Sequence, residues 1–222
     1  MDYVFHFRSI WVNRELFISG AFITLQIAVL GIIIGIILGT IGAVCRGSKS
    51  RSLRLISSSY VEVIRNTPLL VQLYLWYFGL GALRIDLSPF LCIVIALGVN
   101  TGGYSTEIIR AGMEAIKEEQ IRAGLSLGMS RLQTFMYVVI VPAIGIVFPA
   151  LCNQFLICIL GSALGMIIGV RDLTYEAVYL QAHTFRAIET FMVVVIIYIV
   201  VSKVVVLFSE FLDKKIFRYK YV

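Results

Sequence analysis

The stretch from Phe17 to Val44 contains no charged residue and is longer than the roughly 20 apolar residues that a helix needs to cross a bilayer. Mainly apolar stretches recur at 67–83, 88–109, 132–159 and 190–212. Hydrophobic residues make up 59% of the 222-residue chain, so a soluble domain could not bury this much apolar surface. The pattern predicts an all-α integral membrane protein with about five transmembrane helices and one transmembrane domain over residues 1–222.

The basic residues of the loops predict the orientation. The segment "CRGSKSRSLR" after the first span and the tail "DKKIFRYKYV" are both strongly basic. Because short basic loops stay in the cytoplasm, we expect the N-terminus outside and the C-terminus inside. The net charge of +6 is then explained by orientation, and no nucleic-acid partner is expected.

The fourth predicted span is interrupted by polar residues and prolines. Pro142, Pro149, Asn153 and Gln154 lie within it. We therefore expect a kinked or broken helix there, which a membrane tolerates where protein or a cavity satisfies the freed backbone groups.

The sequence offers little catalytic chemistry. His6 and His183 lie far apart, and the phosphate-binding pattern G-x-x-x-x-G-K-[ST] does not occur. We expect no enzyme activity, no metal site and no cofactor bound by this chain. If ATP drives its function, ATP and Mg²⁺ bind to a partner ATPase.

The segment "EEQIRAGLSLGMSRL" is a charged helix joined to an apolar run. Read as part of a helix over 111–126, it places Glu118 and Arg122 at the i, i+4 spacing that supports helices. Small residues at Ala123, Gly124 and Gly128 leave parts of it without side-chain bulk. It is either a solvated connection between spans or a helix on which another protein docks.

Several ordered segments resemble the permease subunits of ABC importers, in the branch that takes up polar amino acids. They are "VEVIRNTPLLVQLYLWYFGL", "GGYSTEIIRAGMEAI", "RAGLSLG" with the following "VVIVPA", and "GVRDLTYEA". The chain departs from the family pattern at Arg122, where Glu is usual, at Gly124, where Ala is usual, and at Asn66, where Gly is usual. Pro142 also lies one residue farther from Gly128 than is usual, and the segment 155–168 lacks the family's charged residues.

The resemblance implies a multi-pass protein of the bacterial cytoplasmic (inner) membrane with a cytoplasmic coupling loop at about 113–130. It implies an ABC ATPase in two copies, a second permease that is identical or homologous, an extracytoplasmic amino-acid-binding protein and an amino acid substrate. The residues expected to couple to the ATPase are Glu114, Glu118, Glu119, Arg122, Ala123, Gly124 and Gly128.

Polar residues inside or beside predicted spans are candidates for the substrate path, because polar groups are costly in hydrocarbon. They are Glu62, Thr67, Gln72, Asn100, Tyr104, Glu107, Asn153 and Gln154. Alternatively, these groups satisfy one another between helices, and for Arg65 and Glu107 we expect such a pair near the cytoplasmic end.

Two functions follow. The first is a permease that couples amino acid import to ATP hydrolysis by another subunit. The second is a stand-alone transporter of a small polar solute driven by an ion gradient, which needs a buried ion site near the membrane midplane. Glu62 and Glu107, the clear acids near spans, lie close to the predicted cytoplasmic side, which counts against the second function.

Overall fold

The computed structural model describes residues 4–216, and within them the chain forms helices and connecting loops without a β-strand. The α-helices are α1 (Arg8–Val12), α2 (Arg14–Arg46), α3 (Arg51–Arg65), α4 (Leu69–Tyr74), α5 (Leu80–Ala82), α6 (Pro89–Glu114), α7 (Glu118–Ser126), α8 (Arg131–Gln133), α9 (Val141–Gly161), α10 (Leu173–Thr184) and α11 (Ala187–Ile216). The prediction of an all-helical membrane protein is confirmed.

Four helical stretches among the described residues are long and apolar enough to cross a membrane. They are Arg14–Arg46, Pro89–Glu114, Arg131–Ile168 and Ala187–Lys215. The predicted second span corresponds to the shorter apolar stretch Leu69–Ala82. Pro68 separates it from α3, because proline cannot donate the backbone hydrogen bond that would continue that helix; its extended backbone precedes the first residue of α4. The count of five spans and the orientation stay predictions.

The helical stretch over residues 131–168 changes its geometry along its length. A π-helix over Thr134–Ile140 precedes α9, and a 3₁₀ helix over Ser162–Ile168 follows it. The chain stays helical through Pro142 and Pro149, so the irregular geometry lies on either side of α9 and the helix does not break at these prolines. Pro142 has no backbone N–H. The wider π turn before it therefore breaks no hydrogen bond that this residue would otherwise donate.

The chain divides into two compact units. The first comprises Met1–Ile33, Pro68–Gly98 and Leu156–Val205, and its core includes Phe17, Leu173 and Val194. The second comprises Ile34–Thr67, Val99–Phe155 and Val206–Val222.

Within the second unit, α2 packs closely against α6 because glycines replace side chains at the contact. A Cβ atom at Gly35 would lie 2.5 Å from Cγ2 of Thr101, and one at Gly39 would lie 2.5 Å from Cβ of Ser105. Real Cβ atoms do not approach other atoms so closely, so these positions require glycine. Small residues at such contacts are typical of helix pairs in membranes, where close backbone approach supplies the packing energy.

Candidate coupling helix and polar cavity

The predicted coupling segment forms a separate short helix, α7. The sequence favoured one helix over 111–126, but α6 ends at Glu114 and α7 begins at Glu118. The end of α6 is held by an ion pair between Arg110 and Glu114, with 2.5 Å between nitrogen and oxygen. The prediction of a continuous helix is therefore wrong, and α7 is joined to α6 by a short bend.

Both ends of α7 have recognisable stabilising features. Glu118 and Glu119 lie in its first turn, where negative charge is favourable near the helix N-terminus. The predicted contact between Glu118 and Arg122 is present. At the other end Gly128 has φ of +83°, its N–H donates to Leu125 at 3.0 Å, and the N–H of Met129 donates to Gly124 at 3.2 Å. These paired bonds form a Schellman motif, which explains the glycine at 128.

Gly124 does not contribute to the outer surface of α7. It is buried, and a Cβ atom there would lie 3.2 Å from Cγ2 of both Thr134 and Val138. Its small size therefore lets α7 pack against the π-helical segment, which corrects the interpretation that it leaves space for a docking partner. Ala123 and Arg122 are exposed instead.

An apolar cluster connects α7 to the adjacent long helices. Its buried part consists of Ile116 from the bend and of Val139 and Ala143 from the long stretch Arg131–Ile168. Met113 of α6 and Ile121 of α7 pack against it. The cluster therefore packs α7 against the end of α6 and the start of the Arg131–Ile168 stretch.

The structure adds an apolar residue that the sequence analysis did not select. Leu127, at the end of α7, is 84% exposed and lines a shallow cavity of about 310 Å³ with Met129, Gln133 and Tyr137. A single exposed leucine is common on protein surfaces, so Leu127 becomes a candidate contact only through its position at the end of α7. Its sequence signal was an apolar residue directly before the helix-ending glycine.

A polar cavity of about 510 Å³ lies beside α3 in the second unit. Three of the predicted path residues line it: Glu62, Tyr104 and Glu107. Its remaining lining residues are Arg46, Ser58, Val61, Arg65 and Asn66.

Two hydroxyl groups attach α3 to its neighbours. Ser57 donates to the carbonyl of Gly42 at 2.8 Å, and Tyr60 donates to the carbonyl of Val99 at 2.7 Å. Burial raises the pKa of Tyr60 to about 12, so this phenol remains a proton donor at neutral pH. The adjacent face of α3, with Ser58, Glu62 and Arg65, lines the cavity.

The charges in the cavity are arranged differently from the expected pair of Arg65 and Glu107. The carboxylate of Glu107 accepts hydrogen bonds from Arg46 and from Arg110, the latter at 3.0 Å. The guanidinium of Arg65 instead lies over the ring of Tyr104. Glu107 is therefore a structural charge bound by two arginines, and no hydrogen bond or ion pair joins it to Arg65 among the described residues.

Glu62 is the second carboxylate in the cavity, and it makes no ion pair within residues 4–216. It is exposed, as is Arg65, three residues later on the same helix. The cavity thus presents one unpaired carboxylate and one guanidinium held by an aromatic ring. These groups complement the ammonium and carboxylate of a small zwitterion.

The other predicted path residues do not line this cavity. Thr67 donates its hydroxyl to the carbonyl of Val63 at 2.8 Å, and Gln72 is buried in the first unit. In the second unit Asn100 and Gln154 are buried, whereas Asn153 is exposed.

Comparison with known proteins agrees with this architecture. Residues 16–218 match the family of binding-protein-dependent transport system inner membrane components. The chain is 34% identical to the glutamine transport system permease protein GlnP of Escherichia coli (strain K12), over 95% of this chain and 97% of the relative. It is also 34% identical to the L-cystine transport system permease protein TcyB of Bacillus subtilis (strain 168), over 90% and 86% of the two chains.

A solved structure is similar throughout. It is described as the crystal structure of an amino acid ABC transporter with histidines, and it has 37% identity and a TM-score of 0.89. The match covers 96% of this chain and all of the solved one. The match to the family model alone spans most of the sequence. None of these similarities favours the alternative function, a transporter driven by an ion gradient. The chain therefore belongs to the binding-protein-dependent transport system inner membrane components, the membrane-embedded permeases of ABC importers.

Proposed function

We propose that this chain forms the translocation path of an ATP-driven importer for polar or charged amino acids. The main support for this proposal is the polar cavity. There the unpaired carboxylate of Glu62 and the guanidinium of Arg65 lie on one exposed face of α3. An amino acid carries both complementary charges on its α-carbon. The amino acid names of the similar permeases and of the similar transporter support the same substrate class.

In this proposal α7 is the coupling helix. Its exposed residues, including Glu118, Glu119, Arg122 and Ala123, contact a cleft of the ATPase subunit, with Leu127 and Gly128 at the edge of the contact. When the ATPase subunits close on ATP, α7 moves, and the cluster around Ile116 transmits the displacement to the adjoining helices. Glu114 is the last residue of α6, directly before the bend through which this movement reaches that helix.

The proposed assembly contains two ATPase subunits, a second permease chain and an external binding protein that delivers the amino acid. ATP and Mg²⁺ bind to the ATPase, and this chain supplies no catalytic residue. The cavity beside α3 needs a second protein surface to enclose a substrate, and in this proposal a second permease chain supplies it.

Transport in proteoliposomes tests the proposal. The chain, its ATPase and its binding protein are reconstituted, and uptake of radiolabelled glutamine, cystine, arginine and histidine is measured with ATP and with a non-hydrolysable analogue. ATP-dependent uptake of at least one of these amino acids is expected. Uptake that needs no ATPase but collapses with the ion gradient would contradict the proposal.

A further inference from the structure

A second cavity in the same unit is lined mainly by arginines. It has a volume of about 400 Å³ and lies where the end of α2, the start of α3 and the end of α6 meet. The residues that matter are Arg46, Arg51, Arg54, Leu55, Arg110 and Glu114.

The positive charges of this cavity are only partly balanced. Arg46 and Arg110 are paired with Glu107, and Arg110 also with Glu114. Arg54 donates to two neutral groups, the carbonyls of Ser48 and Lys49, at 2.9 and 3.1 Å. These bonds orient its guanidinium without neutralising it.

Arg51 has no carboxylate within 4 Å and no hydrogen-bond partner among residues 4–216. It lies in the first turn of α3, one turn before Leu55. Together Arg51 and Arg54 leave about two positive charges available, which favours an anionic ligand. Guanidinium groups bind phosphate oxygens in a forked geometry with two hydrogen bonds.

The cavity also has one apolar lining residue. Leu55 of α3 lies beside Arg51 and Arg54 in the lining and is 57% exposed. A ligand that occupies the cavity with an anionic group and covers Leu55 with a hydrocarbon tail is an amphiphile. Charged pockets next to the ends of transmembrane helices are suited to phospholipid head groups.

We propose that this cavity binds a phosphate-ester anion, and that the anion is the head group of an anionic phospholipid. Arg51 and Arg54 contact the phosphate, and Leu55 contacts the first part of the acyl chains. Placement in the cytoplasmic leaflet rests on the orientation given above, whereas the binding itself does not.

Native mass spectrometry of the purified chain tests the proposal without an ATPase or a transport substrate. The protein is taken from nanodiscs containing equal amounts of phosphatidylglycerol and phosphatidylcholine, and the retained lipid is measured. Wild type is expected to retain phosphatidylglycerol. Arg51→Gln is expected to reduce retention roughly fivefold, and Arg51→Gln with Arg54→Gln roughly thirtyfold.

The matched control is Lys214→Gln with Lys215→Gln, which removes two exposed basic residues in the last turn of α11 and outside the cavity. It is expected to behave as wild type. If the double arginine variant does not fold, because Arg54 holds the preceding loop, Arg51→Gln alone decides. Unchanged retention in Arg51→Gln, or equal retention of both lipids by wild type, would overturn the proposal.

A second arm separates the lipid from a soluble anion. Glycerol 1-phosphate is added at millimolar concentration to protein that carries phosphatidylglycerol. Continued lipid retention supports the lipid head group. Complete displacement that depends on Arg51 would keep the phosphate-ester site and overturn the lipid as its source.

Discussion

The guanidinium carbon of Arg65 lies 5.4 Å from the centre of the Tyr104 ring. This cation–π contact holds a cation in the polar cavity without a carboxylate, so the positive charge stays available to a ligand. Glu107, which could have neutralised it, is bound by Arg46 and Arg110. We therefore expect Glu107 to have a structural role and the unpaired Glu62 to contact the substrate.

Replacement of the aromatic ring tests the positioning of Arg65. Tyr104→Leu removes the face on which the guanidinium lies, and we expect KM for the amino acid to rise roughly two- to tenfold. Tyr104→Phe keeps the ring and is expected to transport like wild type. Uptake kinetics in proteoliposomes measure both variants, and equal loss in the two would point to the hydroxyl rather than the ring.

Removal of the unpaired carboxylate tests substrate recognition. Glu62→Gln is expected to raise KM roughly 10- to 100-fold, since a hydrogen bond to a charged group is lost. Glu15→Gln, at an exposed acid in the first turn of α2, is the matched control and should leave uptake unchanged. A normal KM in Glu62→Gln at normal expression would exclude this carboxylate from substrate binding.

Added bulk on α7 tests docking of the ATPase. Ala123→Trp places an indole on an exposed face without a strained backbone, whereas substitution of Gly128 also disturbs a residue with positive φ. We expect at least a tenfold loss of ATPase co-purified with the tagged chain and a parallel loss of transport. Ala182→Trp, exposed on α10, is the control that should retain the ATPase. Retention by both variants would place the docking surface elsewhere.

The close packing of α2 against α6 predicts a stability effect. Gly39→Ala places a Cβ atom 2.5 Å from Cβ of Ser105, and overpacking of this kind costs about 1–3 kcal/mol. Gly47→Ala is the control, because its Cβ would meet only backbone oxygens at 3.7 Å. Thermal unfolding in detergent should show a lower Tm for Gly39→Ala alone, and identical curves would contradict the packing.

Asp172 predicts a pH dependence of stability. Its carboxyl caps α10 by accepting from the N–H of Tyr175 at 2.8 Å, and its Oδ2 is buried without a hydrogen bond. Burial raises the pKa to about 7 from an ordinary value of 3.8, with the nearby Glu176 acting in the same direction. The folded state therefore binds the proton more tightly than the unfolded state.

Stability from this protonation is fully present below about pH 4 and is lost as the pH rises through about 7. Asp172→Asn keeps an oxygen that can cap the helix and removes the titration. Its Tm relative to wild type should therefore increase between pH 5 and pH 8 and level off above that range. A constant difference across this range would show that Asp172 titrates at its ordinary pKa.

The sequence was sufficient for the helical membrane fold and for the location of α7, because apolar length and charge pattern are local properties. It was not sufficient for the end of α6 at Glu114, where Ile116 of the following bend packs against Val139 and Ala143, residues that lie more than 20 positions later in the chain. The role of Gly124 also could not be predicted from the sequence. A glycine in a polar helix can face either solvent or a neighbouring segment, and the packing against Thr134 is visible only in the structure.

The cavity shows the same limit. Glu62, Tyr104 and Glu107 were selected as polar residues near spans, and all three line it. The choice of partners was not predictable, because Glu107 pairs with Arg46, which is 61 positions away, while Arg65 remains beside Tyr104. Such choices depend on how α2, α3 and α6 pack, which no local pattern contains.

The π-helix over Thr134–Ile140 alters how the following residues map onto the faces of their helix. A helical wheel assumes 3.6 residues per turn, whereas i→i+5 bonding fits more residues into each turn. A wheel drawn continuously from Arg131 into α9 therefore rotates every later residue away from its true face. Cysteine-scanning labels along this stretch should show two periodic patterns that are out of phase, with the phase change inside these seven residues.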